Sequence, residues 1–389
     1  MIPWDVSIPP RPALSMKKLH MKSHLLFNAL ALAALGFTAT LIAPRTGQAQ
    51  GKAEDVPDGP WISSVVWQSE TELVGTHSQG LLFRPAEVIR AASGTPQELS
   101  AVGHSDTSLW SVCALDDGRV VASDYRGGVW LFDAAAPVAA ANAADEKAGS
   151  EQADSPTGKP FEVDARWIRA LKKTPDADQL LAGTEDGKLL LLSVGQAKEI
   201  RRIDAHPAAI FDIAFSAAGD KVATAAGDGA IKIFSWPQLE PLVSMSADKD
   251  ATIWSLLFVN DDKQIVSGGS NNAIQLWDVA SAQSIVTIAV AGNWVTSLAA
   301  IPDSPLVVAG CMDGKLVVVD WQTLQAVHNQ EGPGSAIWSI ALAPGGQQLA
   351  IATRKHGLAV VDDIQPWIAA GQAAAEAVKA VRPPAPPRE

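Results

Sequence analysis

Trp61, Trp110, Trp167, Phe211, Trp254, Trp294 and Trp338 are the side chains of this sequence best suited to chemistry, and that chemistry is binding. Tryptophan joins a large apolar face to a polar N–H and is enriched at interface hot spots. The residues of catalysis are poorly placed by comparison. Beyond residue 49 the histidines are His77, His104, His206, His328 and His356, and none stands at metal-ligand spacing from a cysteine or from another histidine. His77 and His356 fall in corresponding turns of the first and last repeats described below, but two ligands are too few for a metal site. The chain has neither a nucleophile-elbow pattern nor a phosphate-cradling glycine loop. The sequence therefore offers no catalytic residue, no metal site and no cofactor site.

Short apolar strands must position those aromatics. Between Trp61 and Asp363 a pattern of apolar strand, polar turn, apolar strand, Gly-rich turn and apolar strand occurs seven times. The clearest copy is AHPAAIFDIAFSAAGDKVATAAGDGAIKIFS, residues 205–235. Third strands are read as ending at Phe83, Phe132, Leu192, Phe234, Trp277, Val319 and Val361, in steps of 49, 60, 42, 43, 42 and 42 residues. A period near 42 with a fourth strand in the connector is the signature of a β-propeller. Fourth strands are expected near residues 97–102, 161–164, 198–203, 242–246, 284–290 and 325–329.

The repeats resemble those of WD40 proteins over residues 61–363. Gly103-His104 and Ala205-His206 match the family's Gly-His pair. Asp186, Asp228 and Asp313, each before Gly, match its turn aspartate. Trp277-Asp278 matches its Trp-Asp ending in full, and Phe132-Asp133, Val319-Asp320 and Val361-Asp362 match it in part. The resemblance implies an all-β, seven-bladed propeller of WD40 type. It also implies a structural hydrogen-bond set in the fourth blade, made of His206, Thr224 and Asp228, with Phe234 in place of the tryptophan. The fifth blade has Ser267 and Trp277, with Asn271 in place of the aspartate.

Alignment on the third strands puts Trp110, Phe211, Trp254 and Trp338 at one inner-strand position and Trp61, Trp167 and Trp294 two residues earlier. Residues two apart share a side of a regular strand. Each blade thus presents one aromatic where the chain enters its innermost strand, which by resemblance is the rim of the central channel. Two readings stay open: packing between blades, or a shared platform for a partner.

Residues 134–158, rich in Ala, Asp, Glu, Ser and Gly, interrupt the period and read as a mobile loop. Pro366-Trp367-Ile368 opens an Ala-rich helix running to Val381, followed by a Pro-rich tail, so residues 366–389 stand apart from the propeller at 50–365. The seventh blade shows no fourth strand, and Lys52–Asp58 is the sole candidate from the other terminus.

Lys17, Lys18 and Lys22, the apolar run Leu25–Ala43 and Gly47-Gln48-Ala49 make residues 1–49 an export signal cut after Ala49, which leaves no stable membrane span; the alternative is an uncleaved membrane anchor, and Met16 or Met21 are alternative starts. The expected location is periplasmic or extracellular. Cys113 and Cys311 fall in non-adjacent blades and should stay unbridged. The net charge of −12, which becomes −16 without the net +4 of residues 1–49, argues against nucleic acid and anionic lipid. The expected function is a non-catalytic protein-binding scaffold whose partner carries a basic segment. The alternative is a propeller that binds an envelope glycan.

Overall fold

A computed structural model of the chain describes residues 61–80, 84–133, 158–176, 178–246, 251–290 and 292–381. The expected export signal, the Lys52–Asp58 candidate strand, Phe83, the bulk of the 134–158 insertion and the Pro-rich tail lie outside these residues. Among the described residues the strands fold as seven antiparallel meanders, six of four strands and a last one of three, spanning residues 61–105, 109–160, 168–204, 210–246, 253–289, 295–331 and 337–361. The first strand of each sheet touches the first strand of the next, and the seventh returns to the first, so the ring is closed. This is a seven-bladed β-propeller with one C-terminal helix, Gln365–Val381.

Packing follows the blade boundaries. Seven apolar clusters occur, and each joins two adjacent blades. The second and third strands are buried on both faces, as at Val120–Asp124 and Leu306–Cys311, which is why they read as continuous apolar runs. Fourth strands such as Gln283–Ala289 are largely exposed and alternate.

The first blade corrects the sequence reading. Its third strand is Ala86–Ala92, beyond Phe83. Ala91 pairs with Leu73 as Phe234 pairs with Val222, so the true landmark is Ala91. The step from Ala91 to Phe132 is 132 − 91 = 41 residues, and the apparent irregularity of the first repeat disappears. The fourth strand of the first blade is Ser100–Ser105, and that of the second is the short pair Lys159–Pro160, before the expected 161–164. The other four expected fourth strands agree within a few residues with Lys198–Asp204, Pro241–Ser246, Gln283–Ala289 and Gln325–Glu331.

Closure between the seventh and first blades comes from face packing and a few polar ties. Ile62, Leu73 and Ile89 pack on Ala350, Ala352 and Leu358. The Trp67 indole N–H donates to the Ala341 carbonyl at 2.8 Å, and the Gln97 amide donates to the Leu358 carbonyl. The C-terminal helix covers the sixth blade's junction with the seventh. Trp367 is buried among Leu306, Val308, Ile337 and Ile351, and Gly371 lies so close to Leu306 that a Cβ there would stand 2.7 Å from its methyl.

A candidate docking site at the channel mouth

Each inner strand carries a β-bulge at the same place. The unpaired residues are Ser63, Trp110, Arg169, Phe211, Trp254, Thr296 and Trp338. A bulge bends its strand and re-aims the extra side chain. Where the bulged residue is aromatic it supplies the ring directly. In the first, third and sixth blades it is Ser63, Arg169 or Thr296, and the tryptophan stands two residues before it. Trp167 and Trp294 precede their strands, and simple alternation along a regular strand is not what brings them to the others.

The residue after each bulge faces the channel and ties the ring together. Its side chain accepts the amide proton of the following blade. Ser64 takes that of Val112 (3.4 Å), Ser111 that of Leu171 (3.2 Å), and Asp212 that of Leu256 (2.9 Å). Ser255 takes that of Leu298 (3.1 Å), Ser297 that of Ile340 (3.1 Å), and Ser339 that of Val65 (3.4 Å). The third blade has Ala170 at this place, and the Ile213 amide turns instead to the carboxylate of its own neighbour Asp212 (2.8 Å). These groups line a central channel of about 350 Å³ together with Trp110, Arg169, Lys172, Phe211, Trp254 and Trp338. Burial raises the Asp212 pKa, and nearby Lys172 with the Leu256, Ser255 and Ile213 donors opposes that shift only in part.

At the channel mouth the seven aromatics form one connected set. Trp61 stacks on Trp338 (6.0 Å between centroids), and Trp338 meets Trp110 (5.6 Å) and Trp254 (6.3 Å). Trp110 meets Trp167 edge to face (5.3 Å), while Trp254 meets Phe211 (4.4 Å) and Trp294 (5.8 Å). Trp294 is the exposed member, at 40%. The indole N–H groups of Trp61, Trp167, Trp254 and Trp338 are buried without an acceptor among the described residues.

Four members of this site escape a sequence reading. Tyr125 stacks on Trp167 at 3.6 Å. The Arg169 guanidinium lies 3.3 Å from the centroid of Trp167, 4.8 Å from Phe211 and 5.3 Å from Trp110. Glu185 accepts the Arg169 Nε–H. Tyr125 and Glu185 occupy the same turn position in neighbouring blades, each bonding its amide back to the residue two before the bulge. Arg354 holds that position in the seventh blade and lies over Trp61 at 5.5 Å.

The expected His206 set is assembled in the fourth blade. Nδ1 lies 3.0 Å from the Asp228 carboxylate and Nε2 lies 2.8 Å from Thr224 Oγ1. In the fifth blade the Trp277 indole donates to Ser267 Oγ at 2.9 Å, and Asn271 caps its turn by accepting the Ala273 amide. His104, on the last strand of the first blade, finds no such set in the second, because Ala122 and Arg126 stand where Thr224 and Asp228 stand in the fourth. His77 pairs with Glu87 at 3.2 Å. Among the described residues no three of His, Cys, Asp and Glu gather as a metal site. Cys113 and Cys311 are free and buried, and burial pushes their thiols up to about 11 and about 12.

The family model described as WD domain, G-beta repeat matches residues 197–235, 239–278 and 283–320. Each match covers the outer strand of one blade and the first three of the next, so the sequence repeat and the blade are offset by one strand. WD repeat-containing protein VIP3 of Arabidopsis thaliana is 23% identical over 194 residues, 46% of this chain and 60% of its own length. WD repeat-containing protein SL1-17 of Schistosoma mansoni is 24% identical over 168 residues, 43% of this chain and 55% of its own. WD repeat-containing protein 55 of Homo sapiens is 26% identical over 180 residues, 45% of this chain and 47% of its own. The chain spans about half the length of the curated relatives it matches. Residues 197–320 thus carry WD40 repeats within the propeller, and WD40 propellers generally serve as protein-interaction scaffolds and are typically non-enzymatic.

Proposed function

We propose that this propeller is a non-catalytic scaffold that docks a segment of another protein on the aromatic mouth of its central channel. The observation that carries this reading is the connected set of seven rings, contributed by every blade, with four buried indole N–H groups lacking acceptors. Packing alone accounts for ring contacts, but buried donors in folded proteins are nearly always satisfied. A docked peptide supplies carbonyl acceptors, and a ring-shaped scaffold loses little conformational entropy on binding. Sugar stacking needs open ring faces, and here most faces are covered by other rings or by Arg169, which favours a peptide over a glycan.

The basic and apolar composition of residues 1–49 further supports work outside the cytoplasm, a reading that fractionation of the expressing cell tests directly. The docking reading is tested by crosslinked affinity capture from the native host. Wild type is compared with Trp294→Ala, which removes the exposed ring, and with Trp110→Ala/Trp254→Ala/Trp338→Ala. A protein captured by wild type and lost from folded variants supports the reading. The same partners captured by every variant would make the mouth structural.

A further inference from the structure

Within that docking reading, we propose that the mouth holds a carboxylate-binding subsite centred on Arg169, which takes an aspartate or glutamate side chain of the docked segment. The Arg169 side chain is only 10% exposed and lines the channel. Its one hydrogen bond among the described residues runs from Nε to Glu185. That leaves the Nη1/Nη2 edge of a nearly buried guanidinium without an acceptor. This edge is the fork that grips a carboxylate with two parallel bonds.

The surroundings point to the same ligand. Trp167, Phe211 and Trp110 cradle the guanidinium, so the place where an aromatic cluster would receive a partner's cation is already filled by the chain itself. The donors left over include the guanidinium edge and the buried indoles of Trp61, Trp167, Trp254 and Trp338, and the Tyr125 hydroxyl, able to donate or accept, stands beside them. Arg354 over Trp61 adds positive charge at the mouth, Glu185 is already engaged by Arg169, and Asp212, one residue past its bulge, is offset by Lys172, three residues past the bulge of the neighbouring blade. An acidic chain thus presents a locally basic, donor-rich mouth, which reverses the expectation of a basic partner segment. An internal acidic residue fits better than a chain terminus, because flanking peptide carbonyls on both sides can reach the indole donors.

The test uses the full chain and Gly/Ser heptapeptides, acetylated and amidated, with Glu, Gln or Lys at the centre. A fourth peptide has Gln at the centre and a free C-terminal carboxylate. Tryptophan emission and calorimetry at fixed ionic strength follow binding. The Glu peptide should bind at least tenfold tighter than the Gln and Lys peptides. Arg169→Gln should abolish that preference, and Glu185→Gln, which removes the anion that competes for the guanidinium, should strengthen Glu-peptide binding several-fold. Because Glu185→Gln predicts a gain, misfolding cannot mimic it. Equal binding of all peptides would sink the carboxylate subsite and leave the docking reading standing. Preference for Lys, preference for the free terminus over the central Glu, or no binding at millimolar peptide would each overturn the subsite, while the docking reading is judged separately by affinity capture.

Discussion

Asp212 of the fourth blade accepts the amide proton of Leu256 in the fifth at 2.9 Å, in a place where five other blades use serine. Oδ2 also accepts from Ser255 Oγ at 2.9 Å, and Oδ1 takes the Ile213 amide that Ala170 leaves without a serine. One carboxylate therefore bridges the single break in a belt of inter-blade bonds around the channel. Its length over serine lets it serve both its own amide and the next blade.

Replacement of Asp212 by Ala should cost about 2–3 kcal/mol, because the Leu256 and Ile213 amides and the Ser255 hydroxyl lose the acceptor they share. Asp212→Ser should cost less, since serine can still serve Leu256. The pH dependence has a definite sign. Burial raises the folded pKa above the ordinary 3.8, so the folded state holds a proton that the unfolded state has released. Stability from this group is full below 3.8 and declines as pH rises through the raised value. Urea midpoints measured upward from pH 3.8 should fall more in wild type than in Asp212→Ser; parallel curves would refute this account.

His206 titrates in the opposite sense. Its side chain is fully buried, and desolvation, the largest effect, lowers its pKa below 6.5 despite the bond to Asp228. The neutral ring donates from Nδ1 to Asp228 and accepts at Nε2 from Thr224. Its contribution is present above pH 6.5 and is lost as pH falls through the depressed folded value. Thr224→Val should cost about 1 kcal/mol by orphaning Nε2. His206→Ala should lower the neutral-pH midpoint and flatten its decline below pH 6.5; an unchanged slope would show that another group is responsible.

The ring of blades and the seven aromatics of its mouth were legible in the sequence, for a physical reason, whereas the belt of channel side chains was not. Period and burial are written in strands such as Leu189–Leu192, where both faces must be apolar. Phe83 misled because the true third strand, Ala86–Ala92, ends in two alanines and carries no aromatic landmark. Arg169 was hidden because the pattern of a bulge is not the pattern of a strand: one unpaired residue shifts every side chain before it. A charged residue at the bulge position of one blade, where four others have an aromatic, was the available signal. Tyr125 and Glu185 stand in turns whose shared position shows only through their backbone pairing.

The two thiols give a simple check of the packing. Cys113 and Cys311 lie in buried strands of the second and sixth blades, and both thiols are held protonated far above neutral pH. The thiolate is the reactive form. An aromatic disulfide reagent at pH 8 should label neither in the native state and both after unfolding in guanidinium chloride. Rapid native labelling of either would show that its blade opens locally.

The seventh blade is tied to the first by contacts of very long sequence separation, and that should show in kinetics. Trp67 and Ala341 are 274 positions apart, and Gln97 and Leu358 are 261 apart. Contacts that close the largest loops are formed late, after shorter-range ones have offset the entropy of chain closure. Trp67→Phe removes one hydrogen bond, worth about 0.5–1.5 kcal/mol, and keeps an aromatic body at the junction. Trp277→Phe removes a comparable bond to Ser267 inside a single blade, only 10 positions away. The equilibrium losses should be similar and their partition different. Trp67→Phe should act almost wholly by raising the unfolding rate, whereas Trp277→Phe should also slow folding. Stopped-flow chevrons of the two variants decide the point. If Trp67→Phe slowed folding as much as Trp277→Phe, the ring would be closing early, with the blade 7–blade 1 junction already formed in the folding nucleus.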